Sequence, residues 1–143
     1  MVELELLHES MVTPSEIDSL GHLNVRFYIQ RVAEANKALV SQLGLDLAPG
    51  QTMRRIDTYN RFHREQFEGA RLQTSGGLIA SDSADAGNSF SSYFEIRNAD
   101  TDVVAATFIV RSLIVDADDQ PADLPRLQSL LQTASQVTVP EYG

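Results

Sequence analysis

The sequence contains no cysteine, so it can build no disulfide framework, thiolate nucleophile or thiolate metal site. It also lacks a long apolar run. The longest, Val103 to Val115, is broken by Thr107, Arg111 and Ser112 and is too short to span a bilayer. Positive charge is scarce, with 11 Lys and Arg against 20 Asp and Glu and a net charge of −9. That balance argues against nucleic-acid backbones or anionic membranes as partners, because both require a basic surface. Several chemical signatures are missing too: no GxSxG elbow, no HExxH or HxxxH pair, no GxGxxG or P-loop glycines. A serine hydrolase, a zinc hydrolase and nucleotide-driven chemistry therefore have no anchor, and no cofactor or metal is expected.

What is present describes an ordinary soluble domain. At 143 residues, 43% hydrophobic and 22% charged, the chain suits one domain over residues 1–143 with a single core. The start, Met1-Val2-Glu3-Leu4-Glu5, is acidic and has neither the basic beginning nor the apolar segment of a secretory signal, so a cytoplasmic location is the default.

The patterning alternates strand and helix signals. Glu5 to Thr13 reads as a strand ended by Thr13-Pro14-Ser15. From Asn24 to Leu43, Val25, Tyr28, Ile29, Val32, Ala35, Leu39 and Leu43 recur at helical spacing, and Gly44 stands where a left-handed cap would stop the helix. Strand-like segments follow at Met53 to Arg64, Ala70 to Ser81, Ser89 to Arg97 and Val103 to Val115, with turn residues at Asp82 to Asn88 and Asn98 to Asp102. The alternation is muddled in the Arg-rich segment. The nearly continuous apolar run from Val103 to Val115 suits a central strand. Asp123 and Pro125 can open a short terminal helix. One long helix against one antiparallel sheet makes an α+β domain, and one helix cannot cover both faces and both edges of five strands. A homodimer or homotetramer is therefore expected.

The chemistry concentrates in Asp18-Ser19-Leu20-Gly21-His22-Leu23-Asn24, just ahead of the long helix. Asp18 lies too far from Asn24 to cap that helix, leaving its carboxylate for another task. The ordinary alternative is that Ser15-Glu16-Ile17-Asp18, with capping-box spacing, closes a turn after Pro14. Gly21 lets the chain reverse and a ligand approach the backbone, as any turn glycine would. Asn24 is a good N-cap that aims the free amides of the first turn, starting with Val25, at whatever lies beyond them. Asp18 and His22 are too few for a closed metal site, and His8 and His63 read as strand residues. Arg54, Arg55, Arg61 and Arg64 fall close together and are candidate phosphate contacts, with a solvated strand face as the alternative. Phe27, Tyr28, Tyr59, Phe62 and Phe94 either line a pocket or belong to the core.

Asp18-x-x-Gly21-His22-Leu23-Asn24-x-x-x-Tyr28, after a strand and running into a long helix, resembles the signature of the hotdog-fold acyl-CoA thioesterases of the 4-hydroxybenzoyl-CoA thioesterase type. Arg61-Phe62-His63-Arg64-Glu65 followed by Phe67-Glu68-Gly69-Ala70 resembles that family's second strand and glycine turn. The likeness covers about residues 5 to 116. It departs from the family at Val25, where a second asparagine is often found. The resemblance implies a hotdog fold, a five-stranded antiparallel sheet wrapped around one long central helix. It further implies acyl-CoA as substrate, Asp18 as nucleophile or general base, and an oxyanion held at the Val25 backbone amide. His22 and Asn24 would orient the reacting groups, while Gly21, Tyr28, Arg61 and Arg64 would contact substrate. An ordinary aspartate is a weak base at neutral pH, which favours nucleophilic attack. A hotdog enoyl-CoA hydratase or dehydratase using Asp18 and His22, and a non-catalytic acyl-CoA binding module, are the alternatives.

Overall fold

Alternating apolar positions and one helical stripe resolve into an antiparallel sheet packed against a single long helix. A computed structural model describes residues 4–45, 47–79, 88–122 and 127. Along these run β1 (Glu5–Met11), a single 3-10 turn (Pro14–Glu16), α1 (Val25–Gln42), β2 (Thr52–Phe62), β3 (Arg71–Leu78), β4 (Ser89–Asn98) and β5 (Val103–Val115). The sheet order is β1-β3-β4-β5-β2, with every neighbour antiparallel. This is the expected hotdog arrangement. β5 lies inside the sheet, as its apolar run implies, and β2 forms one edge.

α1 packs over β1, β3 and β4. Its buried residues Tyr28, Val32, Ala35 and Leu39 meet Leu72, Phe94, Ile96, Phe108 and Val110 in one core cluster. A second cluster joins Val40 and Leu45 to Leu78, Phe90, Ile114 and Leu127. Both helix ends are set locally. The Asn24 side chain accepts from the Arg26 amide at 3.1 Å, a cap worth about 1 kcal/mol. At the far end Gly44, at φ 70°, lets its own amide reach the Ser41 carbonyl and the Leu45 amide reach that of Val40.

Strand ends differ from expectation where pairing turns irregular. β1 stops at Met11 rather than Thr13 because the Val12 amide pairs with the Ala70 carbonyl and the Val12 carbonyl takes the Gly69 amide. β2 stops at Phe62 rather than Arg64, since the amides of His63 and Arg64 both turn to the Ala105 carbonyl. β3 runs from Arg71, one residue after the expected Ala70, to Leu78, and the end expected at Ser81 lies outside the described residues. The muddled alternation of the Arg-rich strand is a bulge between Arg55 and Asp57, which moves the residues after it to the opposite face. The expected Asn98 to Asp102 turn is present, with the Asn98 side chain accepting from the amides of Asp100 and Thr101. The helix expected at Asp123 and most of the Asp82 to Asn88 turn lie outside the described residues.

Candidate active site

The loop between β1 and α1 is built from its own side chains. The Glu16 carboxylate accepts from the Thr13 amide at 2.9 Å and the Thr13 hydroxyl at 3.2 Å. The turn is thus closed by Thr13 and Glu16, and not by Ser15 and Asp18 as the ordinary alternative for Asp18 had it. From the first half of α1, Arg31 grips the same carboxylate with two N–H groups at 2.9 and 3.0 Å, and also donates to the Ser10 hydroxyl and the Phe27 carbonyl. Burial alone would raise the Glu16 carboxyl. The hydrogen bonds and charge of Arg31, with those from Thr13, outweigh it and hold the group below its ordinary value. The Glu16 carbonyl then accepts the Asn24 amide at 3.0 Å, fixing the helix start.

Asp18 forms the corner of the loop that follows. Its Oδ1 accepts from the amides of Leu20 and His22 at 2.9 and 3.0 Å, its own amide donates to the His22 carbonyl, and its carbonyl takes the Gly21 amide. Gly21 adopts φ 82°, a conformation that costs an L side chain, so it shapes the loop from outside the cavity. Asp18 Oδ2 meets no partner among the described residues. The carboxylate is thus anchored by one oxygen and open at the other.

That carboxylate lines a cavity of about 410 Å³ with His22, Leu23, Val25, Tyr28, Phe62, His63, Arg64 and Glu65. The Val25 amide is in the first turn of α1 and has no acceptor among the described residues. Asn24 does not line the cavity and acts by capping the helix. Tyr28 stands edge-on to Phe62, and Phe62 to Phe108, with ring centroids 5.2 and 5.9 Å apart. Burial pushes the Tyr28 phenol up; the Gln66 backbone and the Arg31 charge offset this only in part, and Glu65 adds to it, so the group stays neutral.

The opposite wall is the segment after β2. Glu65 reaches His22 Nε2 at 3.1 Å, Phe67 meets the same imidazole edge-on, and the Leu23 amide donates to the Gln66 carbonyl at 2.8 Å. Gln66 is itself buried and accepts from the Asn98 side chain at 2.9 Å. These contacts tie the two loops together, and they were not foreseen. The signal was a glutamine amid charged residues and next to Phe67, which only a long-range contact could interpret.

Of the expected substrate contacts, Tyr28 and Arg64 line the cavity and Arg61 does not. The four arginines do not gather. Arg54 pairs with Asp119, Arg55 lines a different groove, and Arg61 sits one position from Phe62, on the opposite face of the pleat. His63 lies just past β2 and lines the cavity, so it is not the strand residue expected, whereas His8 is. Of the aromatics, Phe94 is core, Tyr59 is exposed, and Phe27 borders a separate cavity. Among the described residues no cluster of three His, Asp or Glu could hold a metal ion. The arrangement suits a reaction in which negative charge develops beside a helix N-terminus.

A family model described as the thioesterase-like superfamily matches residues 12–133. A betainyl-CoA thioesterase of Pseudomonas aeruginosa is 30% identical over 86 residues, 57% of this chain and 54% of the relative, so the match spans about half the relative's length. Among solved structures, a DHNA-CoA thioesterase from Staphylococcus aureus superposes with a TM-score of 0.76 at 17% identity, covering 94% of this chain and 97% of that one. A second Staphylococcus aureus protein, solved in complex with CoA, gives 0.71 at 16% identity, covering 99% and 93%. At such identities the structural likeness establishes the fold.

Proposed function

The chain belongs to the thioesterase-like superfamily, and from that premise we propose that it hydrolyses an acyl-CoA thioester to the free acid and CoA. The observation that carries this reading is the half-anchored Asp18 carboxylate, which shares a cavity with Val25, whose amide has no acceptor among the described residues. The thioester carbonyl lies against the start of α1. As the carbonyl carbon becomes tetrahedral, the oxyanion is met by the first-turn amide and the positive end of the helix, a contribution of about 3 kcal/mol for a well-placed donor. Asp18 attacks through its open oxygen to form a mixed anhydride, expelling the CoA thiolate, and water then cleaves the anhydride to restore the carboxylate. General-base activation of water by the same oxygen is the second route. His22, in contact with the Glu65 carboxylate, and Asn24, capping the helix, hold the geometry. Tyr28 and Arg64 contact substrate from the cavity wall.

The test is thiol release from short, branched, aromatic and long acyl-CoAs by wild type and Asp18→Asn. A loss of about a hundredfold or more in kcat for a variant with native circular dichroism is expected. Full activity in that variant would end the proposal. Hydration of an enoyl-CoA without thiol release would instead indicate a hydratase, and binding without turnover an acyl-CoA binding module.

The same reading includes a second copy of the chain. β2 is an eleven-residue edge strand with Ile56, Tyr59 and Phe62 among the exposed large apolar residues, and α1 makes its main sheet contacts elsewhere. Edge-to-edge pairing of two β2 strands would continue the antiparallel sheet.

A further inference from the structure

From Arg26 in the first turn of α1 onward, a separate groove of about 580 Å³ runs between the helix and strands β2 and β5. Its walls include Ile29, Val32, Met53 and Val110, the ordinary lining for an alkyl chain. Its floor is different. Asn36 and Ser112 both line it, yet they are only 5% and 1% exposed. The Asn36 amide donates to the Ser112 hydroxyl oxygen at 3.1 Å, and buried Ser92 donates to the Asn36 carbonyl oxygen at 3.1 Å. Asn36 is thereby held by Ser92 and Ser112, and its amide also meets the Met53 sulfur at 3.7 Å. The Ser112 hydroxyl accepts from Asn36, and its own proton meets no acceptor among the described residues.

We propose that this groove holds the distal part of the acyl group and that Ser112, oriented by Asn36 and Ser92, selects acyl chains bearing a hydroxyl or carbonyl there over plain alkyl chains. The inference rests on the thioesterase reading. Two facts connect the groove to the reacting cavity. They share the first turn of one helix on neighbouring faces, the cavity using Val25 and Tyr28 and the groove Arg26 and Ile29, one position on, before it continues to Val32. They also follow one stretch of sheet, from Phe62 beside Phe108 to Val110 and Ser112. Asn36 is eleven positions beyond Val25, roughly 16 Å along the helix before allowing for the backward lean of helical side chains. A chain of medium to long length spans that distance and a short acyl group does not. An alkyl chain reaching the floor would leave the Ser112 hydroxyl proton without an acceptor, whereas a chain bearing a hydroxyl or carbonyl oxygen there supplies one.

The experiment compares decanoyl-, dodecanoyl- and tetradecanoyl-CoA with the same thioesters carrying a terminal hydroxyl. Thiol release is measured with wild type, Ser112→Ala and Ser112→Thr, and affinity by calorimetry with each of these in the Asp18→Asn background. At the preferred length wild type favours the hydroxylated member by roughly tenfold or more in kcat/KM and in affinity. Ser112→Ala brings the ratio close to one by losing the hydroxylated member, and Ser112→Thr, which keeps the hydroxyl, restores most of it. Equal treatment of both series by wild type, or a ratio that survives Ser112→Ala, overturns the proposal. If no thioester is hydrolysed, the catalytic reading fails, and the affinity ratio still decides the selectivity.

Discussion

Arg31 and Glu16 illustrate how much of the site depends on residues that do not line it. Arg31 is 4% exposed, and its guanidinium holds the turn that leads into Asp18 against α1. Arg31 is buried and Glu16 half-buried, so the pair loses part of its hydration on folding, its worth lies in geometry more than in net stability, and removing one partner leaves the other charge without its main hydrogen bonds. Arg31→Met is therefore expected to destabilise the fold by about 1–3 kcal/mol, measured by urea unfolding, with Glu16→Gln less severe because it keeps an acceptor for Arg31. The pair also sets a pH dependence. Because Glu16 is held below its ordinary value in the folded protein, its contribution is present above the unfolded-state value of about 4.5. It is lost as pH falls through the lower folded value. Thermal melts of wild type should drop across that acidic window, and Glu16→Gln should flatten the drop, which melting series at matched ionic strength will show. The sequence carried a trace of this pair: Arg31 falls three positions after Tyr28 and four before Ala35, on the apolar stripe of α1. So does Asn36, four after Val32. A polar residue on a buried stripe announces a partner, but which partner depends on contacts with Glu16 and Ser112 that local spacing does not encode.

At the level of elements, what was legible followed from local rules. The helix, its Asn24 cap and Gly44 terminator, and the alternation of β3 each depend on neighbours a few residues away. What failed depended on register. A bulge between Arg55 and Asp57 reverses the facing of every later β2 residue, which is why Arg61 falls on the face opposite Arg55 and leaves the cavity while Phe62 enters it. β3 holds a further constraint visible only once β4 is beside it. Gly76 lies opposite Phe94, and a Cβ there would collide with the Phe94 ring and the Tyr93 carbonyl. Since the carbonyl belongs to the β3–β4 ladder and Phe94 to the core, neither can withdraw cheaply. Gly76→Ala should cost about 1–3 kcal/mol by overpacking, read from the denaturation midpoint at unchanged m-value, and Phe94→Leu should recover part of that loss in the double variant.

For the molecule as a whole, the sheet order assigns an exposed edge to its eleven-residue β2. Ile56 is 45% exposed on that strand. Stable monomers blunt edges by shortness, charge or proline, and β2 has neither shortness nor proline. Its charged residues leave Ile56, Tyr59 and Phe62 exposed between them. A second copy joined along β2 would satisfy the edge, extend the antiparallel sheet and flank the groove above Met53 and Val110 with another helix. Ile56→Lys places a charge on that edge in each copy, so the two meet or approach across the seam. Analytical ultracentrifugation should find wild type as a dimer at micromolar concentration and Ile56→Lys shifted toward monomer, while Ile56→Val remains dimeric. The melting temperature of wild type should rise with protein concentration, as mass action requires when assembly and folding are linked, and that dependence should weaken in Ile56→Lys. A wild type that sediments as a monomer with a concentration-independent melt would place the remedy for the β2 edge within the chain itself.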